Sequence, residues 1–358
     1  MAIVQEEPKA GKAGSPPTTL KGKLVYFVIG QTCVDLDATA TVESKALRRA
    51  PNYPEVIPKQ KVIKLERRPI LEREVSCLVK AYIPGVVIVE VSVEVPDLMD
   101  PSVPSLEDKI EGEAWGLLDE YGCGKDFREE YSVYCISDFQ GDPEDIITES
   151  REKIVSLLKD EKLPLDEEEI KSTLSFTLKY AKDDATIVDW DGAFIFDPHA
   201  DFDSNIELLE IANLQLLKFR ALDSILDGRL ERMAELLGAT RRRWIFPSKS
   251  LREMIKDIIQ IRTESIMESE AIEKNIKLIG DWYSAKLYDL ASRKFYLDSW
   301  RRSIGRKLDT LEDVYTMTSE NLSFSFSRAL EMVLVAGWFV LLAGWSILLY
   351  LEWVMVKK

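Results

Sequence analysis

Val188 to Asp203 reads VDWDGAFIFDPHADFD and gathers Asp189, Asp191, Asp197, Asp201 and Asp203 around His199, the only histidine of the chain. Carboxylates and one imidazole are ligands for a divalent cation. In an extended segment, alternate spacing would set several of them on one side. Asp197, His199, Asp201 and Asp203 are the metal candidates. The same residues also satisfy ordinary local demands. Asp191-Gly192 is a hairpin-turn pair. Asp197-Pro198 is a turn, and Asp201 to Ser204 supplies caps for a following helix. The turn-and-cap reading takes precedence over the metal reading.

A second constellation is basic. Arg241, Arg242, Arg243 and Trp244 set three guanidinium groups beside an indole. This combination suits phosphate contact or base stacking. It also solvates an interhelical loop, which is the preferred reading. Arg301-Arg302 with Arg306-Lys307 repeats the theme. The chain has no glycine-rich phosphate loop, nucleophile elbow or zinc-protease helix motif. One histidine confines imidazole acid–base chemistry to one position. The expectation is a protein that is not an enzyme and holds no cofactor. A metal-dependent enzyme built on the acidic cluster is the alternative.

The elements carrying these residues fall into three regions. Residues 1–20 are rich in Pro, Gly, Ala and Lys and read as a disordered leader. They lack the apolar core of a signal peptide and the Arg of a transit peptide. Residues 21–202 form an α+β head with a mostly antiparallel sheet. Its strands are Lys23–Gly30, Val62–Arg68, Glu74–Ile83, Gly85–Val95, Tyr131–Asp138, Leu174–Lys179, Ala185–Val188 and Ala193–Phe196. Its helices are Leu106–Tyr121, with Ser105 as cap, and a segment opened by Asp142-Pro143 that runs to Leu158. Residues 203–328 are a helical bundle or stalk. A helix of about 35 residues starts at Asp203, and a second spans Ser250–Ile279 with a Ser250/Glu253 capping box. Ile276, Tyr283, Leu290, Leu297, Ile304 and Leu311 then recur every seventh residue. Lys294 and Arg301 spoil the companion positions, which favours a bundle over a pure coiled coil. A break is expected at Gly280-Asp281, then one helix from Trp282 onward, weakest at Gly305.

Residues 329–358 hold a membrane anchor. Met332–Leu351 carries no charge. As a helix it spans about 30 Å, the thickness of a bilayer's hydrocarbon core. Ala336-Gly337 recurs as Ala343-Gly344, which stacks small residues on one face and suits helix–helix packing. Without an entry signal, the N-terminal bulk is expected in the cytoplasm, with lipid contact through Met332–Leu351. The net charge of −15 disfavours direct DNA binding. The four scattered cysteines fit reduced thiols.

From Leu174 to Tyr350 the chain resembles the required-for-meiotic-nuclear-division family. The stretches that carry the likeness are NLQLLKFRALD (Asn213–Asp223), IGDWYSAKLYDLASRKFYLDSW (Ile279–Trp300) and KLDTLEDVYTMTSENLSFSFSRALE (Lys307–Glu331). The resemblance implies a membrane-anchored protein of a family with prokaryotic relatives, and a ribosome-like partner. It assigns no active-site residue. Residues and resemblance together give an expected function: a tail-anchored scaffold that forms a homo-oligomer and holds a cytoplasmic protein or ribosome partner. A CorA-like cation transporter is a further alternative. It would need two spans and a Gly-Met-Asn loop, and the chain has room for one span and no such tripeptide.

Overall fold

The computed structural model describes residues 19–34, 42–43, 60–82, 85–240, 260, 263 and 282–356. The expected leader, the Arg241–Trp244 cluster, the Ser250–Ile279 helix with its capping box and the Gly280-Asp281 break all lie outside the described residues.

In chain order the elements are β1 (Lys21–Gln31), β2 (Val42–Glu43), β3 (Gln60–Ile70), β4 (Arg73–Tyr82), β5 (Val86–Val95), α1 (Val103–Glu120), β6 (Arg128–Asp138), α2 (Pro143–Glu149), α3 (Arg151–Leu158), α4 (Glu167–Leu174), β7 (Thr177–Leu178), β8 (Ala185–Val188), β9 (Gly192–Phe196), α5 (Asp203–Thr240), α6 (Trp282–Lys294) and α7 (Leu297–Val356). They divide into two compact units, residues 1–220 with 271–298 and residues 221–270 with 299–358.

The first unit is built on one mixed sheet ordered β2-β3-β4-β5-β1-β6-β9-β8-β7. Every pairing is antiparallel except β6 with β9. That parallel pair needs a long crossover, which α2 to α4 and the β7–β8 hairpin supply. The central strands are buried on both faces, so β1 and β5 read as almost unbroken apolar runs. On one face Leu24, Tyr26 and Val28 join Ile110 and Ala114 of α1 and Ile154 and Leu158 of α3 in the main core. On the other face Phe27 stacks on Tyr131 at 5.5 Å, and Tyr131 meets Phe295 edge-on at 5.8 Å. The first half of α5 covers this second face. It is buried from Asn205 to Leu217, polar residues included.

Several helices depart from the sequence expectation. α1 begins at Val103 and its cap is Ser102, not Ser105. Pro104 lies in the first turn, where its fixed φ favours helix initiation. Asp142 does cap α2, accepting the amide N–H of Glu144 at 3.0 Å. The chain then breaks at Ser150, whose φ is −107° and ψ 15°, so two short helices replace one. Leu174 closes α4, a helix the hydropathy pattern did not reveal, and β7 shrinks to Thr177–Leu178.

The final helix is also two helices. The expected single helix from Trp282 onward breaks at Phe295–Tyr296, and Gly305, its expected weak point, lies within continuous helix. Phe295 is fully buried between Tyr131 and Trp190, and Tyr296 adopts a left-handed φ of 53°. That conformation costs roughly 1–2 kcal/mol for a non-glycine residue, which burial of Phe295 offsets.

In the second unit, Lys307 of α7 bridges Asp223 and Asp227 of α5 at 2.7 and 2.6 Å. Leu226, Met233, Ile304, Leu308 and Leu311 of this unit are buried. The heptad positions Ile304 and Leu311 are both buried. Within α7, Glu331–Tyr350 is a 20-residue apolar stretch of mean hydropathy 2.3 with none of it buried.

Candidate functional site

The N-terminal end of β6 carries Arg128, Glu129 and Glu130 on consecutive positions, so alternation sends Glu129 to the α5 face and Glu130 to the α1 face. The β8–β9 turn places Trp190 and Asp191 alongside, α1 contributes Trp115, and α5 contributes Asn213, Leu216 and Arg220. These residues line a cleft of about 230 Å³ within the first unit.

Both arginines of the cleft have internal partners, several for Arg128 and one for the half-exposed Arg220. The Arg128 guanidinium pairs with Asp119, donates to the Cys123 and Gly124 carbonyls at 2.9 and 2.8 Å, and lies 5.1 Å over the Trp115 ring. Arg220 donates to Glu129 at 2.6 Å. Burial nevertheless pushes the Glu129 carboxyl up to about 7, against the lowering effect of Arg220. Glu130 accepts from the Tyr26 hydroxyl at 2.6 Å and the Trp115 indole N–H at 3.2 Å, both neutral donors. Burial, then the charge of Asp189, raises Asp191 above the usual carboxylate range. The cleft lining therefore carries both signs, two guanidinium groups and three carboxyls.

A second polar constellation lies between the sheet and α5. Lys80 of β4 donates to both carboxylate oxygens of Glu210 at 2.7 and 2.8 Å and sits 3.0 Å from Glu90 of β5. Glu207 and Glu210 are almost wholly buried. One ammonium thus serves three carboxylates. Burial pushes Glu207 up to about 8 and Glu210 up to about 7, with neighbouring carboxylates adding to both. Lys80 holds Glu90 below the usual range despite its burial. This cluster fixes α5 on the sheet, and its groups are too enclosed to meet a substrate.

The acidic turn segment distributes its residues among structural roles. Asp189 is fully buried and pairs with Lys159 at 3.1 Å and with Lys294. Its carbonyl accepts the Tyr131 hydroxyl at 3.0 Å. Asp191 turns β8 into β9, as the Asp-Gly pair implied. Asp197 accepts the amides of His199 and Asp201 at 2.8 and 3.1 Å, which is a turn, and Asp203 opens α5. Among the described residues no three His, Cys, Asp or Glu side chains form a metal-holding group. Asp197, His199, Asp201 and Asp203 are therefore not brought together as ligands. Of the second basic stripe, Lys307 is engaged by Asp223 and Asp227, while Arg302 and Arg306 are exposed. Ala336, Gly337, Ala343 and Gly344 all lie on the exposed stretch of α7. Cys77, Cys123 and Cys135 are buried free thiols and Cys33 is an exposed one.

The sequence of residues 21–203 matches the model of the family described as uncharacterized protein MJ0711, N-terminal domain. The chain belongs to that family. It is similar over 320 residues to uncharacterized protein MJ0711 of Methanocaldococcus jannaschii, at 28% identity, covering 89% of this chain and 95% of the relative. No solved structure matches the chain. The matched region holds the whole sheet, α1 to α4 and the cleft residues Trp115, Arg128, Glu129, Glu130, Trp190 and Asp191. The family thus shares the frame on which the cleft is built.

Proposed function

We propose that this chain is a membrane-anchored scaffold, with a folded mixed α+β head held at a bilayer by α7. One observation carries the reading: Glu331–Tyr350 is continuous helix, strongly apolar and wholly exposed. An exposed apolar surface of this size in water would be an aggregation site, whereas lipid satisfies it. At 1.5 Å per residue it crosses about 30 Å of hydrocarbon. Trp353 follows the span, at the depth where indoles favour the interface. Ala336-Gly337 and Ala343-Gly344 supply a face on which two such helices pack, which supports self-association. The head is placed in the cytoplasm on the same reading.

The resemblance of Leu174–Tyr350 to the required-for-meiotic-nuclear-division family makes the ribosome the partner to test first. Tagged full-length protein is recovered from native membranes in mild detergent, then read by mass spectrometry, RNA content and sedimentation. Ribosomal proteins and RNA in the eluate support the tether. A self-associated chain alone supports a scaffold without that partner. A monomer alone contradicts both self-association and tethering.

A further inference from the structure

The head holds the break between α6 and α7, while the sequence running through that break is that of one helix. No glycine or proline lies between Trp282 and Ile304, and these are the residues that most often end or kink a helix. The buried positions keep one helical phase across the break. Leu287 and Leu290 of α6 and Leu297, Ile304, Leu308 and Leu311 of α7 are all buried. With the partly buried Lys294 and Arg301 between them, they follow one another in alternating steps of three and four residues. That is the seam of a continuous helix. The backbone leaves this path at one residue. The Phe295 N–H still donates to the Ala291 carbonyl at 2.9 Å, but the Tyr296 N–H turns back to the Arg293 carbonyl at 3.2 Å as its φ goes to 53°. Tyrosine is a poor residue for that conformation, which glycine or asparagine takes more easily. Two buried contacts with the head hold the bend. Lys294 reaches the fully buried Asp189 and lies 4.6 Å over the Phe176 ring. Phe295 meets Tyr131 and Trp190 edge-on at 5.8 and 5.9 Å.

We propose that the α6–α7 junction is a two-state latch. With Lys294 and Phe295 seated in the head, the chain bends at Tyr296. When they leave, Tyr296 returns to the right-handed conformation and α6 and α7 fuse into one helix. The bent state gives up intrahelical hydrogen bonds at the junction and strains Tyr296, and the seated lysine and ring offset both. α7 carries the apolar stretch Glu331–Tyr350, so the latch decides whether α6 and that stretch belong to one continuous helix. It operates whether or not the stretch enters a membrane, because Asp189, Tyr131, Trp190, Lys294 and Phe295 all belong to the first unit.

The test is amide hydrogen exchange of the full-length protein in mild detergent, read at Leu297, Asp298 and Ser299 and corrected for intrinsic rates. Only the continuous helix gives these three amides the carbonyls of Arg293, Lys294 and Phe295 as acceptors. Phe295→Ala removes the seated ring, and position 296 then sets the balance. Isoleucine there disfavours the left-handed conformation, and glycine adopts it freely. The Phe295→Ala/Tyr296→Ile variant is expected to exchange these amides roughly tenfold more slowly than Phe295→Ala/Tyr296→Gly. Protection of the β1 amides shows that the head remains folded. If it is lost, Lys294→Met with the same two residues at position 296 repeats the comparison with the ring in place. Slower exchange in the isoleucine member of either pair supports the latch. Equal rates within both pairs, or slower exchange in the glycine members, would overturn the proposal, since the break would then belong to the segment itself rather than to its seat in the head.

Discussion

Replacing Lys80 with methionine removes the one cation from the buried cluster of Glu90, Glu207 and Glu210. Met matches the length of the lysine stem, so packing changes little and the loss is electrostatic. Three contacts of 2.7, 2.8 and 3.0 Å disappear. Breaking a buried ion pair from one side costs about 3–5 kcal/mol, because the partner charge stays buried. At about 2–4 °C per kcal/mol for a unit of this size, the melting temperature of the full-length protein in detergent should fall by roughly 6–20 °C at pH 8.

The loss should depend on pH, and its direction follows from the carboxylates. Glu207 and Glu210 titrate at about 8 and about 7 in the folded chain, above the ordinary value near 4.3. Their contribution to stability is fully present below about 4.3 and is lost as pH rises through 7 and 8. Without Lys80, Glu210 rises further and Glu90 loses the partner that holds it down. The gap between variant and wild type should therefore widen from pH 5 to pH 8. Thermal melts at both pH values decide it. A variant within 2 °C of wild type at pH 8, or an equal gap at both pH values, refutes the account of this cluster.

Four further substitutions have outcomes set by the structure. Glu207→Gln keeps the side chain's shape without its charge, so it should raise the melting temperature at pH 9 and leave it unchanged at pH 5. Arg220→Met should destabilise by about 1–2 kcal/mol above pH 7, a modest figure because Arg220 is half-exposed, and by less at pH 5, where Glu129 is protonated. Melts at the two pH values measure both variants. Gly22→Ala places a Cβ 1.8 Å from the Cys135 carbonyl oxygen of β6 and should cost about 3 kcal/mol or more, whereas Gly112→Ala meets no atom within 4 Å and should stabilise α1 by up to about 1 kcal/mol. Hydrogen exchange of β1 and α1 amides reads the two effects separately.

Hydropathy made most of the head legible. β1, β4, β5, β6, β8 and β9 fall where β-branched runs and alternation place them, and the Asp-Gly turn joins β8 to β9. The Asp203 start of α5 and the apolar stretch of α7 were equally plain, because length and periodicity decide them locally. What sequence did not reveal depends on distant contacts. Nothing around Phe295 marks a helix break; Tyr131 and Trp190, which bury it, are more than a hundred residues upstream. The cleft draws on α1, β6, the β8–β9 turn and α5, four segments with no shared motif. A signal for the buried cluster did exist. Glu90 interrupts VVIVEVSV, Lys80 sits in the apolar strand SCLVKAY, and Glu207 and Glu210 lie at helical spacing among leucines and isoleucines. A charge inside an otherwise buried run asks for a partner in another such run.

Membrane anchorage is tested most directly by alkaline carbonate extraction of membranes from cells expressing the full chain, beside a variant carrying Leu341→Arg and Leu342→Arg. Each arginine placed near mid-span costs about 2.5–3.5 kcal/mol of insertion. The account predicts that the wild-type chain stays in the membrane pellet and the double variant moves to the supernatant. Release of the wild-type chain by carbonate would contradict it.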